Sequence, residues 1–472
     1  MSHNPWSRCR PTLRLPARFR RRPGKQSTIW SVQAFRRIWL ASTISDFGIY
    51  VSALALPLTA AITLDASPFQ MGLLTAIEWL PFVVLGLLAG LVVDRWPRRT
   101  LLIATDWLRA GLLTVIPLLA ITGHLRFEVL LIVAFGVGAC SLVFQVAQVS
   151  LLPTVLRRDD LTVANSRLEA SAATAQATGP GLAGLLITVL SAPLAIAINA
   201  ASFIISGLIL RNVPSDASPA DSWIASQPGN SETVGTLGDW VRLAGREIHE
   251  GLRVFAHQPI LRASLLASTT INLFGFVFLA VYILFMTRTL DLPDVLIGII
   301  LILGGVGAVV GALLCAPLQR WLGFGRAMVW AMLVCCTASL LVPLAFVFPT
   351  MAVPLLATAE LVQYGTLAIF NIGGRTLRQV LAADAVQGRV NATARTLIGA
   401  GTLVGSLTGG LLGGWIGLGN TLIVGAIGMM LAIPVVLFSP LRGLHVLPAG
   451  AIEQETAMLI GVAKPAAPAT PG

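Results

Sequence analysis

Charged side chains are scarce in this sequence of 472 residues, where they make up 11% against 56% apolar residues. A water-soluble protein carries about 25% charged residues, and so few charges cannot cover a globular surface. The composition therefore excludes a water-soluble protein and favours one that lies in a lipid bilayer. Lysine is especially rare, since only Lys25 and Lys464 are present. Neither lies in a GxxxxGK[ST] loop, which excludes an ATPase of the phosphate-loop type.

Histidine and cysteine are also few, with five residues of each. No histidine lies in an apolar helical stretch, which excludes paired haem ligands and the HExxH zinc motif. The cysteines have no spacing typical of a disulfide or zinc framework. We expect no metal and no cofactor, and no enzyme activity, because no set of residues resembles a catalytic site.

Long apolar stretches are abundant, and each is long enough to cross a membrane as a helix, which takes about 20 residues. Strands of a membrane barrel would be half as long and would alternate in polarity. The sequence therefore predicts an all-α integral membrane protein with twelve transmembrane helices, at 35–63, 69–93, 99–122, 127–150, 165–189, 193–211, 260–287, 293–318, 324–347, 351–376, 391–415 and 420–440.

Arginine is concentrated in alternate connections between these spans. If the N-terminus is cytosolic, the cytosolic segments hold 27 arginines and both lysines, and the opposite loops hold only Arg126 and Arg288. Cytosolic loops of membrane proteins carry such an excess of positive charge. We therefore expect a bacterial plasma (inner) membrane protein with both termini cytosolic. The net charge of +11 follows from this topology, and no nucleic-acid partner is expected.

The order of apolar and polar segments predicts five regions. A basic tail (1–34) precedes a six-helix bundle (35–211), a linker (212–259), a second six-helix bundle (260–440) and a C-terminal tail (441–472). The linker ends in an amphipathic pattern that predicts a helix on the cytosolic surface. Three interpretations of the basic tail stay open, namely a lipid-facing cytosolic tail, a start codon placed too far upstream, and an organelle transit peptide.

The two halves of the chain align at a shift of about 226 residues. ASTISDFG (41–48) falls on ASTTINLFG (267–275), DRW (94–96) on QRW (319–321), and Gly184 on Gly410. Such a constant offset predicts a duplicated, pseudo-symmetric pair of bundles. Glycines are concentrated in the second span of each three-helix unit. We expect these spans to form smooth surfaces that move past each other, with static tight packing as the alternative.

The segment after the second span, GLVVDRWPRR, places a carboxylate beside three guanidinium groups at the membrane edge. Asp94 can cap a neighbouring helix N-terminus, and the arginines can bind acids or last-turn carbonyls across the cleft between the halves. Contacts of this kind would form in one state of a gate and break in the other. We interpret the segment as a gate motif that comprises Gly90, Asp94, Arg95, Arg98 and Arg99.

This motif resembles the G-x-x-x-D-R-x-G-R-R loop of the major facilitator superfamily, with Pro97 at the usual glycine. The span-five sequence ATGPGLAGLL is similar to the proton-antiporter motif of that family at Gly179, Pro180 and Gly184. The segments TDWLRA (105–110) and EGLRVFAHQPILR (250–262) resemble its branch of enterobactin exporters and of macrolide or multidrug efflux pumps. The resemblance covers about residues 30–440 and implies export, although span four lacks the arginine of many drug/proton antiporters.

Ionisable groups within a span are costly unless they face a cavity or a partner, so each is a functional candidate. Asp46 is the leading candidate for proton coupling because its repeat equivalent is the neutral Asn272. Glu78 and Glu360 are the other candidates for proton coupling; they lie nearer the outer side and could bind a cationic substrate group or reach headgroup water. Asp106 and Arg109 are expected to form a structural pair three residues apart. The candidates for lining a substrate cavity are Gln145, Gln148 and Asn272.

Together these patterns predict a monomeric secondary active exporter of small amphipathic molecules such as drugs, driven by protons in exchange. In this scheme the inward-facing protein binds substrate, and protonation of Asp46 from outside promotes release and return. A dedicated exporter of a siderophore or another secreted metabolite is the nearest alternative. A nutrient importer and a non-transporting membrane scaffold also remain open. The partners expected are therefore the substrate, protons and the lipid bilayer.

Overall fold

The computed structural model describes residues 29–156, 158–213, 245, 249–381 and 387–444. All regular structure in these ranges is helical. When pieces separated by a short break are counted together, twelve long helical segments follow one another in the described part of the chain, six in each half. Their ends agree with the predicted spans to within about seven residues. The differences lie mainly where four helices extend beyond the apolar stretch, namely Phe127–Val155, Arg158–Leu190, Ala352–Leu381 and Gln387–Trp415.

The N-terminal half contains α1 to α6, where α2 is broken at Leu85. Their bounds are Gln33–Leu58, Pro68–Val84 with Gly86–Arg95, Arg98–Ile121, Phe127–Val155, Arg158–Leu190 and Ala192–Leu210. The C-terminal half contains α7 to α12. Their bounds are Pro259–Leu284, Asp294–Leu322, Phe324–Ala338 with Leu341–Val347, Ala352–Leu381, Gln387–Trp415, and Leu418–Met430 with Ala432–Leu437.

Ten helices in the described residues are long and apolar enough to cross a membrane. The other two of the twelve are α2 and α5. The helix α2 is interrupted, so its apolar piece Pro68–Val84 is only 17 residues long. The helix α5 begins with the polar sequence RDDLTVANSRLE.

Helix packing follows the same plan in both halves. In the N-terminal bundle α1 packs against α5 and α6, α4 packs against α2 and α3, and α3 packs against α6. In the C-terminal bundle α7 packs against α11 and α12, α10 against α8 and α9, and α9 against α12. The bundles meet through α2 with α11 and through α5 with α8. Two pseudo-symmetric six-helix bundles are thus confirmed.

Backbone conformation repeats at the offset of 226 residues as well. A π-helical turn follows α1 at Thr59–Thr63 and α7 at Phe285–Thr289. Asp65 and Asp291 both have a φ of 48°. The φ angles before α6 and α12 are also positive, 86° at Ser191 and 87° at Gly417. Equivalent backbone distortions at equivalent positions confirm the predicted repeat.

The glycine stripes of α8 and α11 pack inside the C-terminal bundle. A Cβ on Gly405 or Gly409 would collide with the backbone of α7, and one on Gly307 or Gly311 with the backbone of α10. These stripes therefore provide static close packing within one bundle. The expectation that they slide between the bundles is wrong for them, because other glycines make the contact between bundles.

The two sides of the molecule can be distinguished by where the chain ends lie. On one side, the termini side, Arg37 at the start of α1 donates a hydrogen bond to the carbonyl of Asn212 after α6. The start of α9 and the end of α12 meet on that side through Gly325 N–H and Leu444 O at 2.8 Å. The opposite side, the far side, carries the α1–α2 and α7–α8 connections. Of the predicted linker helix, 249–257 is helical, and both tails, apart from residues 29–34 and 441–444, lie outside the described residues.

Candidate functional site

The two bundles touch each other closely on the far side. A methyl group on Gly72 of α2 would lie 2.8 Å from the Cα of Gly410 in α11. A methyl group on Gly184 of α5 would lie 2.6 Å from the Cα of Gly298 in α8. The two pairs are equivalent under the internal repeat, because Gly72 corresponds to Gly298 and Gly184 corresponds to Gly410. Two equivalent glycine contacts therefore close the far side.

An ion pair joins the far-side connections of the two bundles. Arg288 Nη2, after α7, donates to Asp65 Oδ1 at 2.6 Å and to the carbonyl of Ala66 at 2.9 Å. The repeat places Ile62 and Asp291 at the equivalent positions, so the second copy of this contact cannot form. Sequence reasoning noted Arg288 only as a rare cation on its side and did not predict this pair.

Polar side chains within the helices are exposed toward the termini side. Lipid-facing polar groups are costly, so we interpret this set as the lining of an aqueous cleft between the bundles, comprising Gln145, Glu169, Gln176, Asn371 and Arg375. Arg375 of α10 forms an ion pair with Glu169 of α5. Their side chains are 62% and 68% exposed, as expected for a pair that spans a water-filled opening.

Asp46 lies on the same side of the molecule, half-buried on α1. One turn earlier on that helix, Ser42 Oγ accepts a hydrogen bond of 2.6 Å from Gln148 Nε2 of α4. Arg109 and Glu169 are the charged side chains that act on the carboxylate electrostatically. The structure therefore brings two predicted candidates, Asp46 and Gln148, to one region of α1 and α4.

Asn272, the repeat equivalent of Asp46, donates its amide to the carbonyl of Ser268 in its own helix at 2.8 Å. The Asn272 amide is neutral, and this bond lies within its own helix. The equivalent places in the two bundles therefore differ in charge, and the N-terminal bundle alone has a carboxylate there.

Aromatic rings bridge the bundles on the termini side of the Gly72–Gly410 contact. Trp79 of α2 packs edge-on against Phe276 of α7, with ring centroids 6.0 Å apart, and its other neighbour is Phe82 at 5.8 Å. Trp79 is 39% exposed and lies seven residues, about 10 Å along a helix, from Gly72 toward the termini side. Sequence reasoning missed these rings because single aromatic residues in apolar spans give no signal.

The two outer carboxylates occupy different surroundings. Glu360 of α10 is only 5% exposed, and it faces Gly304 of α8 and the phenol of Tyr282 on α7. Close packing inside the C-terminal bundle covers Glu360, so it does not reach headgroup water in this structure. Glu78 is half-buried on α2. Neither carboxylate has an ion-pair partner among the described side chains.

Asp106 and Arg109 form a buried ion pair on α3, with exposures of 0% and 1%. Ser206 of α6 donates to Asp106 Oδ2 at 2.7 Å. The guanidinium of Arg109 lies between the rings of Phe144 and Phe203, 4.4 and 4.1 Å from their centroids. These contacts tie α3 to α4 and α6, so the pair lies in the core of its bundle.

The gate motif forms the turn between α2 and α3. Arg99 donates to the carbonyls of Leu210, at 3.4 Å, and Arg211 at the end of α6. The prediction of carbonyl contacts across the cleft is wrong for Arg99, because α6 belongs to its own bundle and ends beside it. Gly90 and Arg95 lie in α2 and Arg98 begins α3. The side chain of Asp94 lies outside the described part of the structure.

The motif of span five lies in α5, at the inter-bundle contact. Gly179 packs against Tyr50 of α1, and Gly184 makes the contact with Gly298 described above. Nothing is described for the side chain of Pro180. No three His, Cys, Asp or Glu side chains within the described ranges are close enough together to hold a metal ion.

Comparison with known sequences identifies the family. The model of the Major Facilitator Superfamily matches residues 38–376. The chain belongs to this superfamily. Two relatives from Bacillus subtilis (strain 168) carry the names uncharacterized MFS-type transporter YfiS, 31% identical over 49% of this chain, and YkuC, 26% identical over 40%. These matches span about half the length of the relatives, 51% and 44% respectively.

Solved structures of other transporters share the fold. A bacterial homologue of the iron transporter ferroportin, in an inward-facing state, aligns with a TM-score of 0.66 at 20% identity over 87% of this chain and 98% of its own. The nucleoside transporter NupG aligns with a TM-score of 0.60 at 16% identity over 86% of this chain and 97% of its own. At these identities the likeness concerns architecture.

Proposed function

We propose that this superfamily member is a secondary active transporter that works by alternating access. The observation that carries the proposal is the asymmetry between its two sides. Glycine contacts and the Asp65–Arg288 pair close the far side, whereas exposed polar side chains line the termini side. Two pseudo-symmetric bundles that meet through few helices can rock about their contact and reverse this asymmetry.

The termini side is the cytosolic side of a bacterial plasma membrane in this proposal. The excess of 29 basic residues over two in the connecting and terminal segments supports this orientation. The structure then corresponds to an inward-facing state that is open to the cytosol.

Protons drive transport through Asp46. A carboxylate at the cleft can change its proton affinity when water, a cation or a substrate approaches or leaves it. Asp46 is half-buried, lies beside the Ser42–Gln148 hydrogen bond, and is influenced by Glu169 and Arg109. Closure of the termini side would remove water from Asp46 and change the cross-bundle pairing of Glu169 with Arg375, which is what coupling requires.

The substrates are small amphipathic molecules, and the direction is export. The rings of Trp79 and Phe276 offer an apolar, aromatic surface at the closed end of the cleft, and Asp46 and Glu169 supply negative charge. An aromatic cation would find both kinds of contact there. The likeness of the Gly179–Gly184 segment to the antiporter motif supports export.

The experiment uses the full-length protein in liposomes with ethidium as the probe cation. An acidic lumen drives proton efflux, so a proton antiporter accumulates ethidium inside. We expect the unaltered protein to accumulate ethidium and a protonophore to abolish this accumulation. We expect Asp46→Asn to bind ethidium but not to accumulate it.

Three neutralising variants serve as controls. Glu78→Gln and Glu360→Gln test the other carboxylates, and Asp291→Asn removes a far-side charge from an exposed loop. We expect all three to accumulate ethidium. Accumulation at the full rate by Asp46→Asn would refute its coupling role. Accumulation driven only by an alkaline lumen would refute exchange of substrate for protons.

A further inference from the structure

A groove on the outer surface of the N-terminal bundle opens beside the gate motif, away from the cleft. It has a volume of about 360 Å³ and lies between the start of α3 and the end of α6. Its lining comprises Arg99, Thr100, Ile103, Ala104, Trp107 and Arg211. The groove faces the surroundings of the bundle, because Trp107 is 44% exposed and the neighbouring Leu108 is 58% exposed.

Positive charge is concentrated at the mouth of this groove. Arg99 uses Nε and Nη2 for the last carbonyls of α6, and its Nη1 has no such contact. The exposed Arg211 contributes a second guanidinium. Neither arginine forms an ion pair with a side chain that the structure describes. Two guanidinium groups without an acid are suited to bind a phosphate.

The floor of the groove is apolar and runs into the membrane. Ile103, Ala104 and Trp107 follow Arg99 along one face of α3. From Arg99 to Trp107 the helix rises eight residues, about 12 Å. The tryptophan indole lies against Gly207 of α6, where a Cβ would be 3.2 Å from Trp107 Nε1. Tryptophan is enriched at the level of the lipid headgroups and the adjoining acyl chains.

We propose that this groove binds one anionic phospholipid from the leaflet on the termini side. The phosphate lies between Arg99 and Arg211, and an acyl chain follows Ile103, Ala104 and Trp107. A cationic mouth above an apolar floor matches a molecule with an anionic head and a hydrocarbon tail. A soluble anion would match only the mouth. The bound lipid would join the gate turn to the end of α6, because Arg99 lies in the gate motif and Arg211 directly follows α6.

The test measures quenching of Trp107 by brominated lipids in the full-length protein reconstituted in phosphatidylcholine. The difference in fluorescence between the unaltered protein and Trp107→Phe isolates this indole from the other tryptophans. We expect brominated phosphatidylglycerol to quench Trp107 at an about fivefold lower mole fraction than brominated phosphatidylcholine. Fivefold corresponds to about 1 kcal/mol, the value of one arginine near an anionic surface.

Variants separate this groove from the general positive charge of the termini side. Arg211→Gln removes one mouth guanidinium and should abolish most of the preference for phosphatidylglycerol. Arg326→Gln neutralises an exposed arginine at the equivalent start of α9, and this variant should retain the preference for phosphatidylglycerol. Ala104→Phe fills the exposed floor and should lower quenching by phosphatidylglycerol although both arginines remain.

Three results would overturn the proposal. Equal quenching by both lipids in the unaltered protein would show that the groove does not select an anionic lipid. An equal loss of preference in Arg326→Gln and Arg211→Gln would show that selection comes from the basic surface as a whole. Unchanged quenching in Ala104→Phe would likewise contradict an acyl chain on the groove floor.

Discussion

Gly184 and Gly298 face each other across the two bundles so closely that a methyl group on Gly184 would lie 2.6 Å from the Cα of Gly298. The repeat turns this pair into Gly410 and Gly72, which meet between α11 and α2. Only residues without a side chain allow backbones to approach in this way. The far-side closure therefore depends on four glycines at equivalent places, and it can be disrupted by adding atoms there.

Side chains at these glycines should open the far side. We expect Gly72→Val and Gly184→Val to lengthen the distance between nitroxide labels at Leu64 and Leu290, because no neighbouring atom can move far enough while the backbones stay in contact. Double electron–electron resonance spectroscopy measures the distance between the two labels. Gly414→Val is the control on α11, since a Cβ there would meet nothing within 4 Å. Identical distance distributions in all three variants would contradict the proposed role of the glycines.

The two residues of the far-side ion pair, Asp65 and Arg288, should contribute unequally to the closure of the far side. Asp65 is 91% exposed and Arg288 33% exposed, so the charge pair itself is worth about 1 kcal/mol or less. Arg288 also donates to Ala66 O at 2.9 Å. We therefore expect Arg288→Gln to lengthen the Leu64–Leu290 label distance more than Asp65→Asn does. A larger effect of Asp65→Asn would show that charge alone makes this contact.

Removing only one charge of the buried Asp106–Arg109 pair on α3 should strongly destabilise the protein. Replacing Arg109 by Met leaves Asp106 buried without a cation, and such losses cost about 3–5 kcal/mol. We expect a large fall in the thermal unfolding temperature of the detergent-solubilised protein. Removing both charges, in Asp106→Asn with Arg109→Met, should restore part of it. If the unfolding temperature of the double variant falls by the sum of the falls in the two single variants, this would argue against direct pairing of Asp106 and Arg109.

The serine that supports this pair offers a milder test. Ser206 donates to Asp106 Oδ2 at 2.7 Å in a site where both residues are fully buried. Ser206→Ala should lower the free energy of unfolding by about 1–3 kcal/mol, the cost of leaving a buried acceptor unsatisfied. Ser171→Ala is a control, since its hydroxyl bonds only to carbonyls of its own helix. Equal unfolding temperatures for the two variants would contradict a structural role for Ser206.

Helix positions could be predicted from the sequence because apolar length determines where a chain can cross a bilayer. The repeat was visible because blocks such as DRW (94–96) and QRW (319–321) lie at nearly one offset. It correctly indicated two bundles with one packing plan. The spacing of Asp106 and Arg109 placed them on one helical face, and the structure brings them into contact.

Contacts between distant helices could not be predicted in the same way. Nothing local distinguishes Gly410, which faces the other bundle, from Gly409, which faces α7. Arg99 lies 111 residues from Leu210 along the chain, so the end of α6 could not be identified as its acceptor. Glu360 resembled an accessible outer carboxylate in sequence, and only tertiary packing against Gly304 and Tyr282 buries it.

The central claim is that the bundles alternate between two openings, and paired label distances test it most directly. One pair, at Leu64 and Leu290, reports on the far side, and a second pair, at Thr154 and Gln379, reports on the termini side. On changing from acidic buffer to alkaline buffer with ethidium, we expect the first distance to lengthen while the second shortens. Two distances that stay fixed, or that lengthen together, would contradict alternating access.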